Sequence, residues 1–486
     1  MNIKQIKTLG SLKKQGYVSK PIKTEIRDNL IAKIKNKEPL FEGIIGYEET
    51  VIPQLMHAIL SEHNINLLGL RGQAKTKIAR SITHLLDEYI PIVEGSEIND
   101  DPFNPLSYYA KALIQEKGDQ TPINWIHRSE RFSEKLATPD VTVADLIGDV
   151  DPIKAANLKL SYSDERVIHF GMIPRANRCI FVINELPDLQ ARIQVSLFNI
   201  LQEGDVQIRG FKVRLPLDVN FIFTANPEDY TNRGSIVTPL KDRIGSQIIT
   251  HYPHSVELAK AITNQEAVKQ TESQNIHVPE LAKTLIEQIG FEARNNELID
   301  SKSGVSARMS ITMYENLLSG ATLRMLMTNQ KQTSVRMSDF LAVIPAITGK
   351  VELVYEGEQE GAENVAMLLL GNAIKTLFNQ NFREIKKLNK PGVNDEFDAV
   401  VSWFVDNNSF TIPTDLSDKA YESQLNSVKP LSEIVAMYQP DSNALNQLFL
   451  KEFLLWGLVE YQKLDKQETN EGYHFEDRVL GSFYNN

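Results

Sequence analysis

The sequence predicts an α/β fold with a parallel sheet, followed by two regions that are mainly helical. The segment "INLLGL" (65–70) reads as a short buried strand, and the segments on either side of it, 48–60 and 76–89, have helical apolar spacing. Further apolar strands are expected at 179–183 and 219–224. Strands that alternate with helices in this order are typical of a parallel α/β sheet.

The remaining segments complete this outline. Residues 91–123 are punctuated by prolines and are predicted to be loop-rich. Between the last two strands, 190–204 has the pattern of an amphipathic helix, and 206–215 reads as a β-hairpin. Helical patterns dominate from about 254 to 347, and an aromatic helix is predicted at 445–464.

Composition limits the function classes. The chain has 486 residues, enough for about three domains of roughly 150 residues each. Its formal charge of −11 argues weakly against non-specific binding of nucleic acid, because that binding depends on Lys and Arg neutralising phosphates. The single cysteine, Cys179, predicts no disulfide and fits a reducing compartment. No apolar run approaches the roughly 18 residues of a membrane-spanning helix, so we expect a soluble cytoplasmic protein.

The first 37 residues depart from this charge balance. Nine lysines and Arg27 are opposed there by only Glu25 and Asp28. No apolar segment of the kind found in secretory signals follows them. The sequence leaves two interpretations of this basic arm: a solvated, partly mobile leader, or a segment that docks electrostatically on a partner.

The loop "GLRGQAKT" (69–76) nearly matches the pattern G-x-x-x-x-G-K-[ST] of phosphate-binding loops. Backbone N–H groups of such a loop surround the phosphates, while the lysine supplies positive charge and the hydroxyl ligates Mg²⁺. Ala74 stands where the last glycine of the pattern usually is, and this imperfect loop taken alone is equally compatible with an ordinary glycine-containing turn. The residues predicted to bind the phosphates are Gly69, Gly72, Gln73, Ala74, Lys75 and Thr76.

Two later strands end in polar residues that such a site needs. The strand "CIFVIN" is followed by Glu185, a carboxylate that can activate a water molecule for attack on a phosphate. The strand "NFIFTAN" ends in Asn226, whose neutral side chain is suited to holding the same water. Asn184, together with Thr76, is the predicted ligand of Mg²⁺, although an aspartate is expected at that position.

In their order, spacing and residues, these segments resemble those of the AAA+ ATPases, in particular the clade with an insert in its second helix. This clade contains the magnesium chelatase I subunit and the MoxR-like chaperones. The resemblance covers roughly residues 40–350. It is carried by "FEGIIGYEETVIPQL", "HNINLLGLRGQAKTKIAR", "VEGSEINDDPFNP" (93–105), the insert and strand within 145–189, the hairpin at 206–215, "TPLKDRIG" (238–245) and "GVSARMSI" (304–311).

The resemblance implies roles that the residues alone do not. It implies that Ile44, Ile45 and Gly46 begin the adenine pocket, that Arg243 is an arginine finger acting on a neighbouring subunit, and that Arg308 is the sensor 2 arginine. It also implies ATP and Mg²⁺ as cofactors, self-association into a ring that is expected to be a hexamer, and a partner with a von Willebrand A domain. Without it, Arg243 could instead pair with Asp242 or Glu185, and Arg308 could cap a helix.

The predicted organisation has four parts. They are a basic N-terminal arm (1–39), an AAA+ α/β nucleotide-binding domain with the helix-2 insert (40–253), a helical lid (254–349) and a mainly α C-terminal region (350–486). The last part has no predicted role. The client, the number of subunits and any role in metal chelation are not determined by the sequence.

Three functions are compatible with these observations. The first is a ring-forming ATPase that remodels or activates a partner protein, with its activity weakened by Asn184 and Ala74. The second is a regulatory ring that binds nucleotide without significant turnover. The third, disfavoured by the net charge, is a nucleic-acid motor or transcription activator; the basic residues of the hairpin, Arg209, Lys212 and Arg214, keep it open.

Overall fold

The structure is a computed structural model that describes residues 6–162, 164–208, 214–227, 235–268, 270–382, 396–407, 410–469 and 472–477. The chain divides into two compact units, Met1–His251 and Tyr252–Asn486. The division falls two residues before the predicted end of the α/β domain. The finer boundaries of the arm, the lid and the C-terminal region stay predictions.

The first unit is built on a five-stranded parallel sheet. Its strands are β1 (Ile65–Leu68), β2 (Phe132–Leu136), β3 (Cys179–Asn184), β4 (Val219–Ala225) and β5 (Ser246–Ile249). Their spatial order is β5-β1-β4-β3-β2, and every neighbouring pair is parallel. The carboxyl ends of β1, β3 and β4 therefore lie side by side at one edge of the sheet, which is where ligands bind in open α/β sheets.

The central strands are apolar because both faces of the sheet are covered. All seven residues of β4 are buried, and so are the first five of β3. Phe181, Phe221 and Phe223 belong to the core on one face, whereas Val182 and Ile222 belong to the core on the other. Such continuous apolar runs, without alternation, are what a parallel sheet buried on both sides requires.

In the described part of the first unit, three antiparallel pairs of short strands lie outside the five-stranded sheet. They are Tyr89–Val93 with Ile123–His127, Gly148–Val150 with Ile168–Phe170, and Asp205–Gln207 with Arg214–Pro216. The predicted hairpin at 206–215 is confirmed in its two strands, and its turn lies outside the described residues. The expectation of a loop-rich segment at 91–123 is wrong in part, because a helix occupies Tyr108–Lys117 there.

The N-terminal residues fold onto this unit. Two helices, Leu9–Lys14 and Ile22–Asn36, lie within the predicted basic arm, and Ile22, Ile26 and Leu30 are buried in the core that contains β1. The apolar positions of the second helix recur at helical spacing, which directs one face inward. The interpretation of this segment as a solvated leader is therefore wrong.

The remaining helices of the first unit are short and connect the strands. The predicted helix at 190–204 is confirmed but broken at Leu197. The α-helices are Val51–Leu60, Lys75–Ser81, Tyr108–Lys117, Val143–Leu146, Pro152–Leu158, Met172–Arg175, Ala191–Ser196, Phe198–Glu203 and Thr238–Arg243. The 3₁₀ turns are Ile82–Leu85, Gly118–Gln120, Arg128–Glu130, Glu165–Val167 and Leu186–Asp188.

The second unit is mainly helical and has one continuous core. This core runs from Ala267 to Phe475 and so includes residues from both the predicted lid and the predicted C-terminal region. Its α-helices are Val256–Glu266, Glu280–Asn295, Ala307–Met327, Ile344–Thr348, Tyr355–Glu360, Ala362–Asn381, Asp398–Asn407, Asp418–Ser427, Lys429–Tyr438 and Ala444–Glu460, with 3₁₀ turns at Glu272–Asn275 and Met337–Val343.

Strands that the sequence did not predict also occur in the second unit. Phe410–Pro413, Gly472–Asp477 and Leu464–Thr469 form a three-stranded antiparallel sheet. Ile276–His277 and Thr333–Ser334 form a short parallel pair. Within the described parts of the chain, no helix combines the length and the apolar character needed to cross a membrane. The predicted fold class, a parallel α/β domain followed by helical regions, is confirmed.

Candidate active site

The loop after β1 has the backbone of a phosphate-binding loop. It leads directly into the helix that begins at Lys75, and Ala74 caps this helix with φ 56° and ψ 18°. Gly72 also has a positive φ, of 72°. The left-handed region costs a residue with a Cβ roughly 1–2 kcal/mol, which explains why glycine is the usual residue at the position of Ala74. Ala74 and Thr76 are exposed on the open side of the loop.

Lys75 lies inside the loop rather than in solvent. Its side-chain ammonium donates to the carbonyl oxygens of Gly69 and Leu70, the latter at 3.0 Å, and to Asn226 Oδ1 at 2.6 Å. The residue is 8% exposed. A buried ammonium at this position of the loop brings a positive charge to the place where a phosphate group would bind.

Residues behind the loop hold its shape. Thr250 donates from its hydroxyl to Gln73 Oε1 at 2.7 Å, and the Tyr47 hydroxyl lies 3.0 Å from the carbonyl oxygen of Gln73. Gly69 packs closely against these side chains. A Cβ at this position would collide with the Thr250 hydroxyl and with Gln73 Oε1. The sequence reasoning gave no role to Tyr47, although this residue lies in a segment that carries the resemblance, and it missed Thr250, which belongs to no recognisable motif.

The carboxyl ends of β3 and β4 face the loop. Asn184 Oδ1 lies 3.5 Å from the Thr76 hydroxyl and 3.2 Å from the Thr224 hydroxyl. The backbone N–H of Glu185 donates to Thr224 Oγ1 at 3.1 Å, and Asn226 donates from Nδ2 to Glu185 Oε2 at 2.7 Å. One connected set of hydrogen bonds therefore joins both strand ends to the loop.

Asn226 occupies the centre of this set. Its side-chain oxygen accepts from Lys75, while its side-chain nitrogen donates to Glu185. An amide can do both at once, since it carries an acceptor and a donor on one planar group. Glu185 itself has φ 56°, a conformation that is uncommon for a residue with a side chain and typical of functional sites.

The oxygen donors at the end of β3 and at the start of the helix Lys75–Ser81 suit a magnesium ion. Thr76 and Asn184 offer two neutral oxygens, and Mg²⁺ binds oxygen ligands while keeping several waters and using phosphate oxygens of its substrate. Over the described ranges no cluster of three or more His, Cys, Asp or Glu that could hold a metal by protein side chains alone is present. The residues present therefore fit a Mg²⁺ ion that is bound together with a polyphosphate.

The segment predicted to begin the adenine pocket lies beside the same loop. Ile44 is buried in the core that contains β1, Ile45 is half-buried, and Gly46 has φ 83°. Tyr47, which follows them, also approaches His251, with its hydroxyl 2.7 Å from the backbone carbonyl oxygen. The adenine-binding role of this segment stays a prediction.

Arg243 is the last residue of the helix Thr238–Arg243 and is half-buried. Its guanidinium donates to Gln202 Oε1 at 3.1 Å and to the carbonyl oxygen of Pro239 at 2.7 Å, and it stacks over the ring of Phe198. Each of these partners is uncharged. The structure thus gives Arg243 a defined position without a carboxylate partner among the described residues, and its role as an arginine finger stays a prediction.

Arg308 lies in the second unit, at the second position of the helix Ala307–Met327, and is exposed. The cap of this helix is Ser306, whose hydroxyl accepts from the backbone N–H of Arg308 at 3.1 Å. The capping function that the sequence left open for the Arg308 side chain is therefore performed by Ser306. The sensor role of Arg308 is a prediction that the first unit alone does not test.

Thr224 is a further residue of this site that sequence reasoning missed. It is 2% exposed and connects Asn184 to the backbone of Glu185. A polar residue near the carboxyl end of an otherwise apolar segment, "FIFTAN", was the available signal. The five residues that the sequence placed at the phosphates, the metal and the water, and that the structure brings together, are Lys75, Thr76, Asn184, Glu185 and Asn226.

Comparison with known proteins supports the fold. Residues 126–244 match the family model of the AAA domain, dynein-related subfamily, which spans β2, β3 and β4. Together with the parallel sheet and the loop after β1, this match gives the chain the AAA+ P-loop fold that the sequence predicted. The narrower resemblance, to the clade with the helix-2 insert, stays a prediction.

Three solved structures are similar at low identity. A candidate ATPase from Cytophaga hutchinsonii is 18% identical over 72% of this chain and 95% of its own, with a TM-score of 0.29. One chain from the complex between subunits BchI and BchD of magnesium chelatase is 19% identical over 66% of this chain and 99% of its own, with a TM-score of 0.35. A RuvB mutant from Thermotoga maritima is 10% identical over 92% and 97%, with a TM-score of 0.36. At these values the likenesses carry no argument about activity.

Proposed function

We propose that this protein binds and hydrolyses ATP. The single observation that carries the proposal is the convergence of an ammonium, two neutral oxygens, a carboxylate and an amide at the carboxyl edge of one parallel sheet. These are the groups that phosphoryl transfer to water needs, since its catalysis consists mainly of positioning and electrostatic stabilisation. The match of residues 126–244 to the AAA domain supports the same reaction class.

Each side chain has a distinct role in this proposal. The phosphates of ATP displace Lys75 from the carbonyl oxygens of Gly69 and Leu70, and its ammonium then binds their negative charge. The backbone N–H groups of the loop and the start of the helix at Lys75 point at the same anion. Thr76 and Asn184 hold Mg²⁺, which when bound neutralises part of the charge on the phosphates.

Glu185 is the general base. Its carboxylate accepts a proton from the attacking water, and Asn226 orients that water by hydrogen bonding. In the present arrangement Asn226 Nδ2 is bonded directly to Glu185 Oε2 at 2.7 Å, so the two groups that would share the water already lie next to each other.

We further propose that the protein acts as a ring, with six subunits as the expected number, and that its client is a protein with a von Willebrand A domain. Arg243 then completes the site of the neighbouring subunit. This role is supported by the partners of the guanidinium among the described residues, which are all uncharged, so its charge can interact with a phosphate across an interface. The short hairpin Gly148–Val150 with Ile168–Phe170, inserted between β2 and β3, supports the clade that remodels such partners.

A second candidate is a ring that binds nucleotide but does not turn it over. Two observations favour it. Asn184 removes the negative charge that would attract the metal, and Ala74 places a Cβ on the strained residue of the loop. The third candidate, a nucleic-acid motor, has less support, since Arg214 of the hairpin lies 3.5 Å from Asp205 and its charge is partly compensated.

The proposal is tested by steady-state ATP hydrolysis during a Mg²⁺ titration. Glu185→Gln is expected to lower turnover by about 100-fold or more, the usual contribution of a general base, while leaving ATP binding intact. Asn184→Asp is expected to lower the Mg²⁺ concentration needed. Glu203→Gln, which changes an exposed glutamate of the same unit, is the matched control and should behave as wild type.

The three candidates give different results. ATP binding without turnover in the wild type, with turnover regained in Asn184→Asp, would favour the regulatory ring. Absence of ATP binding in the wild type would refute the proposal. Salt-sensitive retention on DNA would favour the nucleic-acid motor.

The role of Arg243 is tested by mixing two inactive variants. In a ring, Glu185→Gln subunits supply Arg243 to neighbours that carry Arg243→Ala and an intact Glu185. Mixed rings are therefore expected to hydrolyse ATP faster than either variant alone. If Arg243→Ala is inactive and mixing restores nothing, Arg243 acts within its own subunit.

A further inference from the structure

Thr224 carries a buried hydroxyl that connects Asn184, the last residue of β3, with Glu185, which follows it. It accepts a hydrogen bond from the backbone N–H of Glu185 at 3.1 Å, and its oxygen lies 3.2 Å from Asn184 Oδ1. With 2% of its surface exposed, it has no access to bulk water that could replace these partners. A buried hydroxyl normally makes at least one hydrogen bond, so the donor and the acceptor can be assigned in each of these two contacts.

The direction follows from the single proton of a hydroxyl. Since Thr224 Oγ1 accepts from Glu185, its own proton is available for donation, and Asn184 Oδ1 is the acceptor. The Thr76 hydroxyl donates to the same oxygen, at 3.5 Å. If the amide of Asn184 were turned over, its NH₂ group would face both hydroxyls, and the Thr224 proton would lose this acceptor.

This orientation matters more for an asparagine than for an aspartate. The two oxygens of a carboxylate are equivalent, so either can face a cation. An amide has an oxygen on one side only, and its NH₂ group repels a cation from the other. A site with asparagine at this position therefore needs a neighbouring group that fixes the orientation of the side-chain amide.

We infer that Thr224 is a positioning residue that turns the side-chain oxygen of Asn184 towards the Thr76 hydroxyl, where the Mg²⁺ that accompanies ATP binds. The inference rests on the proposed function, and it concerns only this chain's own hydrogen bonds. It makes the dependence on Thr224 specific to the asparagine: an aspartate at position 184 should make the threonine hydroxyl nearly dispensable for metal binding.

The test is a double-mutant cycle on nucleotide affinity. The affinity of a fluorescent ATP analogue is measured at equilibrium, first in EDTA and then across a Mg²⁺ titration. The chains compared are the wild type, Thr224→Val, Asn184→Asp and the double variant. Valine carries a methyl group where threonine has its hydroxyl, so it removes the hydrogen bonds without emptying the position.

The cycle separates the metal effect from a general structural one. Thr224→Val also leaves the Glu185 N–H without its acceptor, but this loss is the same in both backgrounds and cancels in the cycle. In the wild-type background Thr224→Val is expected to raise the Mg²⁺ concentration for half-maximal binding about tenfold, the loss of one good hydrogen bond. In the Asn184→Asp background the expected change is less than about twofold, and binding in EDTA should be unchanged in every variant.

A second variant keeps the test valid if valine perturbs folding. Thr224→Ser retains the hydroxyl, and it should restore a Mg²⁺ dependence close to that of the wild type. The inference is overturned if Thr224→Val shifts the Mg²⁺ dependence equally in both backgrounds, or in neither, while the wild type binds and hydrolyses ATP. If the wild type does not bind the nucleotide, the proposed function fails and the inference fails with it.

Discussion

A buried ion pair attaches the N-terminal helix Ile22–Asn36 to the sheet, and its removal should destabilise the first unit. Arg131, just before β2, donates to both carboxylate oxygens of Glu25, at 2.6 and 2.7 Å. Arg131 is 0% exposed and Glu25 is 4% exposed. The same carboxylate accepts the backbone N–H of Asp87 at 2.7 Å. Glu25→Gln therefore leaves a guanidinium buried beside a neutral amide.

The expected loss is large because the remaining charge cannot reach water. Breaking a buried pair by removing one partner costs about 3–5 kcal/mol. For a unit of this size each kcal/mol shifts the unfolding midpoint by about 2–4 °C, so the midpoint should fall by about 6–20 °C. Glu25→Gln combined with Arg131→Met removes both charges and should recover much of this loss.

The assay is thermal unfolding of the full chain by scanning calorimetry, in which a transition of the first unit can be followed beside that of the second. The matched control is Asp119→Asn, which removes an exposed ion pair with Lys13. The side chain of Lys13 is 51% exposed and that of Asp119 is 65% exposed. Exposed pairs contribute little, so this midpoint should barely change. If Glu25→Gln behaves like Asp119→Asn, the N-terminal helix does not stabilise the unit, and the reasoning is refuted.

Other predictions concern the loop and the single thiol. Ala74→Gly should stabilise the first unit by about 1 kcal/mol, because it relieves a left-handed φ of 56°; a lower midpoint in the same scan would contradict this. Gly69→Ala should lower both the midpoint and nucleotide affinity, since its Cβ would meet Thr250 and Gln73; wild-type affinity would contradict it. Burial raises the pKa of the Cys179 thiol to about 11, so the folded state holds its proton where the unfolded state loses it. The contribution of this thiol to the free energy of unfolding is therefore present below about pH 9 and lost as the pH rises towards 11. Urea titrations of the wild type should show this loss, and those of Cys179→Ala should not.

The residues that sequence reasoning placed in the site share one property. Asn184, Glu185 and Asn226 lie at or directly after the carboxyl end of an apolar strand, and Lys75 and Thr76 follow β1 through the loop. Parallel strands bring these carboxyl ends to one edge. The convergence could therefore be predicted from strand order alone. It did not depend on any long-range contact that only the folded chain reveals.

The residues that it missed depend on such contacts. Thr224 lies one strand away from the residues it bonds, and Thr250 supports the loop from the end of β5. The second helix reads as part of a basic arm in the sequence, because its lysines dominate its composition. Its structural role comes from three buried apolar residues and from Glu25, whose partner Arg131 lies 106 positions away. Local patterns carry no signal for pairs at such separations.

The second unit was predicted least well for a related reason. The three-stranded sheet of Phe410–Pro413, Gly472–Asp477 and Leu464–Thr469 contains short strands rich in polar residues, and its first strand is far from the other two in the chain. Short strands without strict alternation give a weak signal beside strong helical patterns. These strands share one core with residues of the predicted lid, within the compact unit Tyr252–Asn486.

Asparagine at position 184 changes how the proposed site gains its metal. An aspartate attracts a cation by charge at any rotamer, whereas Thr76 and Asn184 together offer only oriented neutral oxygens. Neutral oxygens bind a strongly hydrated ion weakly, and Mg²⁺ gives up its water reluctantly. The protein alone should therefore have little affinity for Mg²⁺, and the ion should arrive with the triphosphate. Binding of Mg²⁺ and triphosphate together then depends on the orientation of the Asn184 side chain. In the proposed site the hydrogen bond from Thr224 fixes this orientation, and so replaces part of the attraction that a negative charge supplies where the residue is aspartate.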